Sequence, residues 1–160
     1  MFSDPRRTDR LLAPPWRAEY PSRLVGEGAK GPAQIQSEWP EHLPSCCPPK
    51  DATPLNGTVY RFVSGSAVIP ADMLSHAERG LAEGAEPCDR AGLSVFLDLE
   101  HVRFLLGTPR WRDSRVASAD LGGAHGKIKQ TGHSKAKKHH TMWLRRDVVV
   151  AAHTLFSVLP

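Results

Sequence analysis

Ten of the fourteen prolines of this 160-residue chain lie within its first 54 positions, in phrases such as LLAPPWRAEYPS and HLPSCCPPKDATP. Each proline removes a backbone donor, fixes its own φ and pushes the preceding residue towards extended geometry. Neither a long helix nor a central strand can run through such a region. The expectation is a proline-rich extended arm over residues 1–54, followed by a single folded domain over residues 55–160. Trp16, Tyr20 and Trp39 give the arm apolar surface that a purely polar linker lacks, and that surface can pack onto the domain or onto a partner.

From the turn dipeptide Asn56-Gly57 the pattern becomes that of ordered elements. TVYRFV (58–63) is β-branched and aromatic, a strand with Val59, Arg61 and Val63 on one face and Tyr60 and Phe62 on the other. Pro70 suits a first helical turn, and ADMLSHAERGLAEG places Met73, Leu74, Ala77 and Leu81 at helical spacing. Leu93 to Leu97 is a short apolar run after glycine and reads as a buried strand. Asp98 then caps a helix lined by Leu99, Val102, Leu105 and Leu106, which Gly107 and Pro109 stop. SRVASADL, KIKQT, HTMWLRR and TLFSVL are short strands between glycine-rich and polar turns, LGGAHG (121–126) is itself a turn, and RDVVVAAH can also begin a helical turn. Such an order predicts an α+β domain with a small mixed or mainly antiparallel sheet and about two helices.

The net charge of +4 is unevenly distributed. Residues 51–125 carry seven Lys/Arg and ten Asp/Glu, whereas residues 126–160 carry seven and one. The basic character therefore belongs to the last 35 residues, where GKIKQTGHSKAKKHH holds five lysines and three histidines without an acid. Lys127 and Lys129 stand two apart and share a strand face, with Ile128 on the buried side; Lys135, Lys137 and Lys138 follow in a loop. His139, His140, Trp143, Arg145 and Arg146 complete the segment. Cations neutralise a phosphate backbone and an aromatic ring offers a face to a base, so this set is the expected contact for nucleic acid or a nucleoprotein. An acidic protein surface is the other partner with matching chemistry, and a solvated hairpin is the plainer explanation. His139 and His140 alternate sides of a strand, so one at most faces inward, where a structural hydrogen bond is its commoner role.

Several chemistries find no support. The nucleophile-elbow, zinc-protease, P-loop and dinucleotide-fold fingerprints are absent. Cys46, Cys47 and Cys88 include no CxxC pair and cannot close a disulfide framework without leaving one thiol over, which points to a reducing, cytoplasmic setting. No metal is expected, because adjacent cysteines diverge on an extended chain; a composite site from Cys46 or Cys47, Cys88 and a C-terminal histidine is the only arrangement left to one. The chain lacks the run of about 18 apolar residues that spanning a membrane requires, and its start lacks a secretory-type apolar stretch.

A strand carrying an arginine (TVYRFV), a helix ending near glycine (ADMLSHAERG) and a strand leading directly into a helix (GLSVFLDLEHVRFLL) together resemble the beginning of small bacterial ADP-ribosyltransferase-type domains. In those domains an early arginine or histidine and a later strand with small hydroxyls line the NAD pocket. The resemblance covers about residues 57–106 and implies that Arg61 contacts the dinucleotide and that Ser94 sits in the second strand motif. GLSVF lacks the Ser-Thr-Ser pattern and no glutamate follows Glu100, so the resemblance implies a histidine-dependent enzyme or an inactive relative. The leading expectation is instead a non-enzymatic cytoplasmic binding, regulatory or inhibitor module. The Arg-, Ala- and Pro-rich composition suggests a bacterial source, the outline is analogous to small accessory or inhibitor proteins of mobile elements, and the basic C-terminal face is the expected contact surface.

Overall fold

The computed structural model describes residues 38–81, 86–132 and 137–160. Strand β1 is Thr53–Pro54, β2 Gly57–Val63, β3 Leu93–Phe96, β4 Arg115–Leu121, β5 Gly126–Gln130, β6 His139–Leu144 and β7 Ser157–Val158. They form one antiparallel sheet in the order β1-β5-β6-β3-β2-β4-β7, so the protein is α+β, as its element order predicts. Strand pairing is long where the alternation is clean. All seven residues of β2 pair with β4, from Gly57 opposite Leu121 to Val63 opposite Arg115. Strand β6 pairs on one side with β3, from Leu93↔Met142 to Phe96↔His139, and on the other with β5.

Period-2 patterning sends Val59 and Val63 of β2, Leu93 and Val95 of β3, Ala117 and Ala119 of β4, Ile128 of β5 and Met142 and Leu144 of β6 into one core. Met73, Ala152 and Phe156 close that core from the connecting segments. On the opposite face Phe96, Val102 and Val116 are buried with Tyr60, Phe62, Leu105 and Leu106 around them, so helix α2 (Leu99–Leu106) covers that side. Its start is capped as the sequence indicates: the Asp98 carboxylate accepts from His101 N at 3.1 Å. The remaining helices are short, α1 over Pro87–Ala91 and α3 over Arg146–Val149. None among the described residues is long and apolar enough to cross a membrane.

The helix expected from residue 70 onward is not continuous. Pro70–Met73 is a 3-10 turn, and a second turn follows it. Ser75 and Glu78 start the second turn by bonding reciprocally, Ser75 N to Glu78 Oε2 at 2.8 Å and Glu78 N to Ser75 Oγ at 3.2 Å. Gly80, at φ +67°, ends it. Side-chain hydrogen bonds thus override the apolar spacing of Met73, Leu74 and Ala77. At the other end, TLFSVL divides into a 3-10 turn at Ala152–Leu155 and the two-residue β7.

Residues 38–54 belong to the same compact unit as the sheet. β1 pairs with β5 (Thr53↔Ile128), and Trp39 and Leu43 pack against the buried cluster of Cys47, Ala52, Cys88 and Trp143. The prolines shape this segment into turns, closed by Cys47 N to Pro44 O at 2.8 Å and Ala52 N to Pro49 O at 3.0 Å. Cys47 is disulfide-bonded to Cys88 and Cys46 remains a thiol. The described part of the arm is therefore wrapped on the domain and its backbone follows turns, not an extended path.

Candidate anion-binding cleft

Strands β2 and β3 pair at one position only, Tyr60 opposite Phe96. Beyond it the sheet opens, and the opening is bridged by Arg61, whose side chain is 7 % exposed. Its Nη1 donates to Ser94 O at 2.7 Å, its Nε to Asp72 O at 2.8 Å and its Nη2 to Leu74 O at 3.2 Å. One guanidinium fork thereby ties β3 and the loop after β2 to the centre of the sheet. Burial depresses the Arg61 pKa to about 10, with the neighbouring positive Arg79 acting in the same direction and Asp72 opposing both. Arg61 remains a cation at neutral pH. Asp72 is itself buried, its carboxylate accepting from Ser64 N (3.2 Å), Ser64 Oγ (3.1 Å) and Ile69 N (3.1 Å), which fixes the loop that carries the carbonyls.

The opening is a cleft of about 350 Å³. Arg61, Phe62, Ser94 and Phe96 reach it from the parted strands, and His76 and Arg79 from the turn after Pro70–Met73. His101 and Leu105 come from α2, Thr108, Arg110 and Trp111 from the turn after α2, and His139 from the start of β6. Its wall is aromatic. Phe62 and Trp111 stack with centroids 4.3 Å apart and an interplanar angle of 13°, and Phe96 meets Phe62 edge-on at 5.6 Å. Arg110 lies over the Trp111 ring at 4.9 Å. His139 is held edge-on to Phe96 and by Thr131 Oγ1, 3.0 Å from its Nδ1.

Among the described residues no carboxylate lines this cleft. The three arginines therefore act on it without an acid at the wall, and His76 registers their field. Its pKa is lowered by burial first and then by Arg61, Arg79 and Arg110. Burial penalises a charge of either sign, whereas the smaller contribution of the three arginines disfavours a further proton and favours an anion.

Apart from His139, the basic C-terminal residues lie elsewhere and are mostly partnered. Lys129 Nζ is 2.9 Å from Asp51, Lys138 bonds Asp98, Arg145 bonds Glu38, and Arg146 Nη2 is 3.3 Å from Glu41. Lys127 and Lys137 pair with no carboxylate among the described residues, and Lys135 lies outside them. Lys127 and Lys129 share the face expected of them, with Ile128 in the core. Trp143 departs from the expectation. It is 1 % exposed, with Nε1 donating to Cys88 O at 3.0 Å, so it presents no face to a base. His139 and His140 do point apart: the first enters the cleft, while the second sets its Nδ1 3.0 Å from Lys138 O.

Arg61 and Ser94, which the resemblance links to a dinucleotide, are both at the cleft. Sequence reading missed His76, Arg79, His101, Arg110 and Trp111, which no spacing rule associates, because they converge only when the turns after β2 and α2 fold over the parted strands. Among comparisons with known proteins, no family model, curated protein or solved structure matches this chain.

Proposed function

We propose that this protein is a nucleotide-binding module whose cleft takes a phosphate-bearing ligand with a planar base, of which an NAD-type dinucleotide is the favoured class. The observation that carries this reading is the coincidence of Arg61, Arg79 and Arg110 in an aromatic-walled cavity whose lining, among the described residues, holds no acid. Arginine at the rim meets phosphate oxygens in pairs, and the Phe62–Trp111 wall offers a surface for a base. Arg61 is already bonded to three carbonyls, so its contribution is mainly its charge; Arg79 is exposed but commits its Nη2 to Ala71 O at 2.9 Å, and the exposed Arg110 is the group placed to grip with its whole fork. The volume is at the small end of the range for ligand pockets, about 300–1,000 Å³, which suits one nucleoside-phosphate half of a dinucleotide with the rest at the mouth.

Calorimetric titration with NAD⁺, ADP-ribose, AMP and adenosine tests the reading. Phosphorylated ligands are expected to bind and adenosine to fail, with Arg110→Ala and Arg79→Ala each weakening binding by about tenfold or more, the equivalent of about 1.4 kcal/mol. Equal affinity for AMP and adenosine, or binding unchanged in both variants, would overturn it. A single-stranded oligonucleotide held as tightly by Arg110→Ala as by the parent chain would transfer the function to the C-terminal cations. Surface ion pairs such as Lys129–Asp51 are weak enough to open before a phosphate backbone.

A further inference from the structure

Three sulfur atoms meet where residues 44–47 turn against α1. Those of Cys46, Cys47 and Cys88 lie within 4.8 Å of one another. The premise that adjacent cysteines diverge fails here because the chain is not extended: Cys47 N bonds back to Pro44 O, and both cysteines of the turn reach the same helix. Two of the residues are buried and Cys46 is exposed, so the cluster has an apolar floor and an opening to solvent. The floor is firm. Trp143 Nε1 fixes the Cys88 carbonyl at 3.0 Å, and Cys88 Sγ stands 3.9 Å from the carbonyl oxygen of Cys46.

We propose that, when the Cys47–Cys88 bond is reduced, Cys46, Cys47 and Cys88 together bind a soft d10 cation, zinc(II), as three thiolates. Two molecules of a low-molecular-weight thiol RSH supply two electrons and two protons, leaving as RS–SR and giving two cysteine thiols. Zinc then displaces three protons and forms three Zn–S bonds, with solvent in the fourth position on the exposed Cys46 side. At a Zn–S distance of about 2.3 Å, tetrahedral ligands stand about 3.8 Å apart; sulfurs within 4.8 Å need close by about 1 Å at most, and the Cys47 and Cys88 sulfurs, once their bond is reduced, must part by about 1.8 Å from the bonded distance of about 2.05 Å. The disulfide and the metal exclude each other, because a sulfur in the bond has no thiolate to give. Both states clamp residues 38–54 onto the sheet, but only the metal state includes Cys46.

The test uses the full chain, reduced with a phosphine without oxygen, freed of the reductant and titrated first with cobalt(II) and then with zinc(II). The expected result is thiolate-to-cobalt charge-transfer absorption that saturates at one ion per chain and is displaced by zinc. The oxidised protein should show none. Cys46→Ser should lower the absorption by about a third and weaken binding by more than the about 10–100-fold that loss of a supporting contact gives. Absence of the band in reduced protein that circular dichroism shows to be folded overturns the proposal. So does Cys46→Ser that binds with undiminished absorption and affinity. Should reduction unfold the chain, restoration of the fold by zinc together with the three-thiolate band supports the site, and failure to restore it refutes the site.

Discussion

Arg61→Ala tests whether the guanidinium holds the parted sheet together. The side chain makes three charge-assisted bonds to carbonyls, at 2.8, 2.7 and 3.2 Å. Bonds of this type contribute about 1.5–3 kcal/mol each, so the fork contributes about 4.5–9 kcal/mol before costs. Against this stands burial of the cation. A pKa lowered from 12.5 to about 10 corresponds to about 3.5 kcal/mol at about 1.4 kcal/mol for each pH unit. The difference is about 1–5.5 kcal/mol, and because water can enter the cleft and satisfy part of the exposed carbonyls, the lower half of that range applies, about 1–3 kcal/mol. For a domain of this size that is a fall in Tm of about 4–12 °C, which thermal and denaturant unfolding both measure. Arg61→Lys should recover less than half of it, because an ammonium on a single stem cannot reach three diverging acceptors. A Tm within about 3 °C of the parent for Arg61→Ala would refute the bridging role and return Arg61 to the ligand alone.

Two further perturbations test neighbouring parts of the argument. Gly92→Ala would bring a Cβ within 2.9 Å of Met142 O and Trp143 Nε1 at the α1–β3 turn; the expected loss is about 1–3 kcal/mol by denaturant unfolding, and an unchanged midpoint would contradict that close approach. Asp98 is held below the usual carboxylate range, first by its bond to Lys138 and then by the His101 backbone N–H. A depressed folded-state pKa gives stability that is present above the ordinary value of 3.8 and lost as pH falls through the folded value. Asp98→Asn keeps a capping oxygen but not the charge, so its Tm should trail the parent near neutrality and meet it in acid. A gap that does not change with pH would rule out the charge as the cause.

What could be read in advance was local. Val59, Arg61 and Val63 take one face because side chains alternate on a strand, and Asp98 caps α2 because its carboxylate reaches an N–H three residues on. Apolar spacing failed at residues 70–81, where the Ser75–Glu78 bonds and Gly80 compete with the helix at the same range. The five-residue α1 offered too little periodicity to detect. Pairing was out of reach for a different reason. That β3 lies against β6 and that β2 leaves β3 after one pair depend on which edges the whole sheet covers, and no window of sequence contains that information. The meeting of Cys46, Cys47 and Cys88 is of this kind as well, since it depends on a proline-shaped turn docking on a helix.

The distribution of charge along the chain points away from where charge acts in the fold. The most basic stretch, residues 126–160, places Lys129, Lys138, Arg145 and Arg146 against Asp51, Asp98, Glu38 and Glu41, all drawn from earlier segments. Residues 51–125, acidic by count, supply Arg61, Arg79 and Arg110, which meet in one cavity and form no ion pair among the described residues. A formal sum treats every charge as equally available, whereas a ligand responds to the local potential, which an adjacent carboxylate cancels and low-dielectric aromatic walls sustain. At His76, an imidazole of the cleft itself, burial lowers the pKa first and the three arginines lower it further. A phosphate bound beside His76 opposes the arginines' part of that shift, so the imidazole resonance followed by NMR should titrate at higher pH with AMP present than without it. The same titration left unmoved by a bound phosphate would place the ligand away from the three arginines.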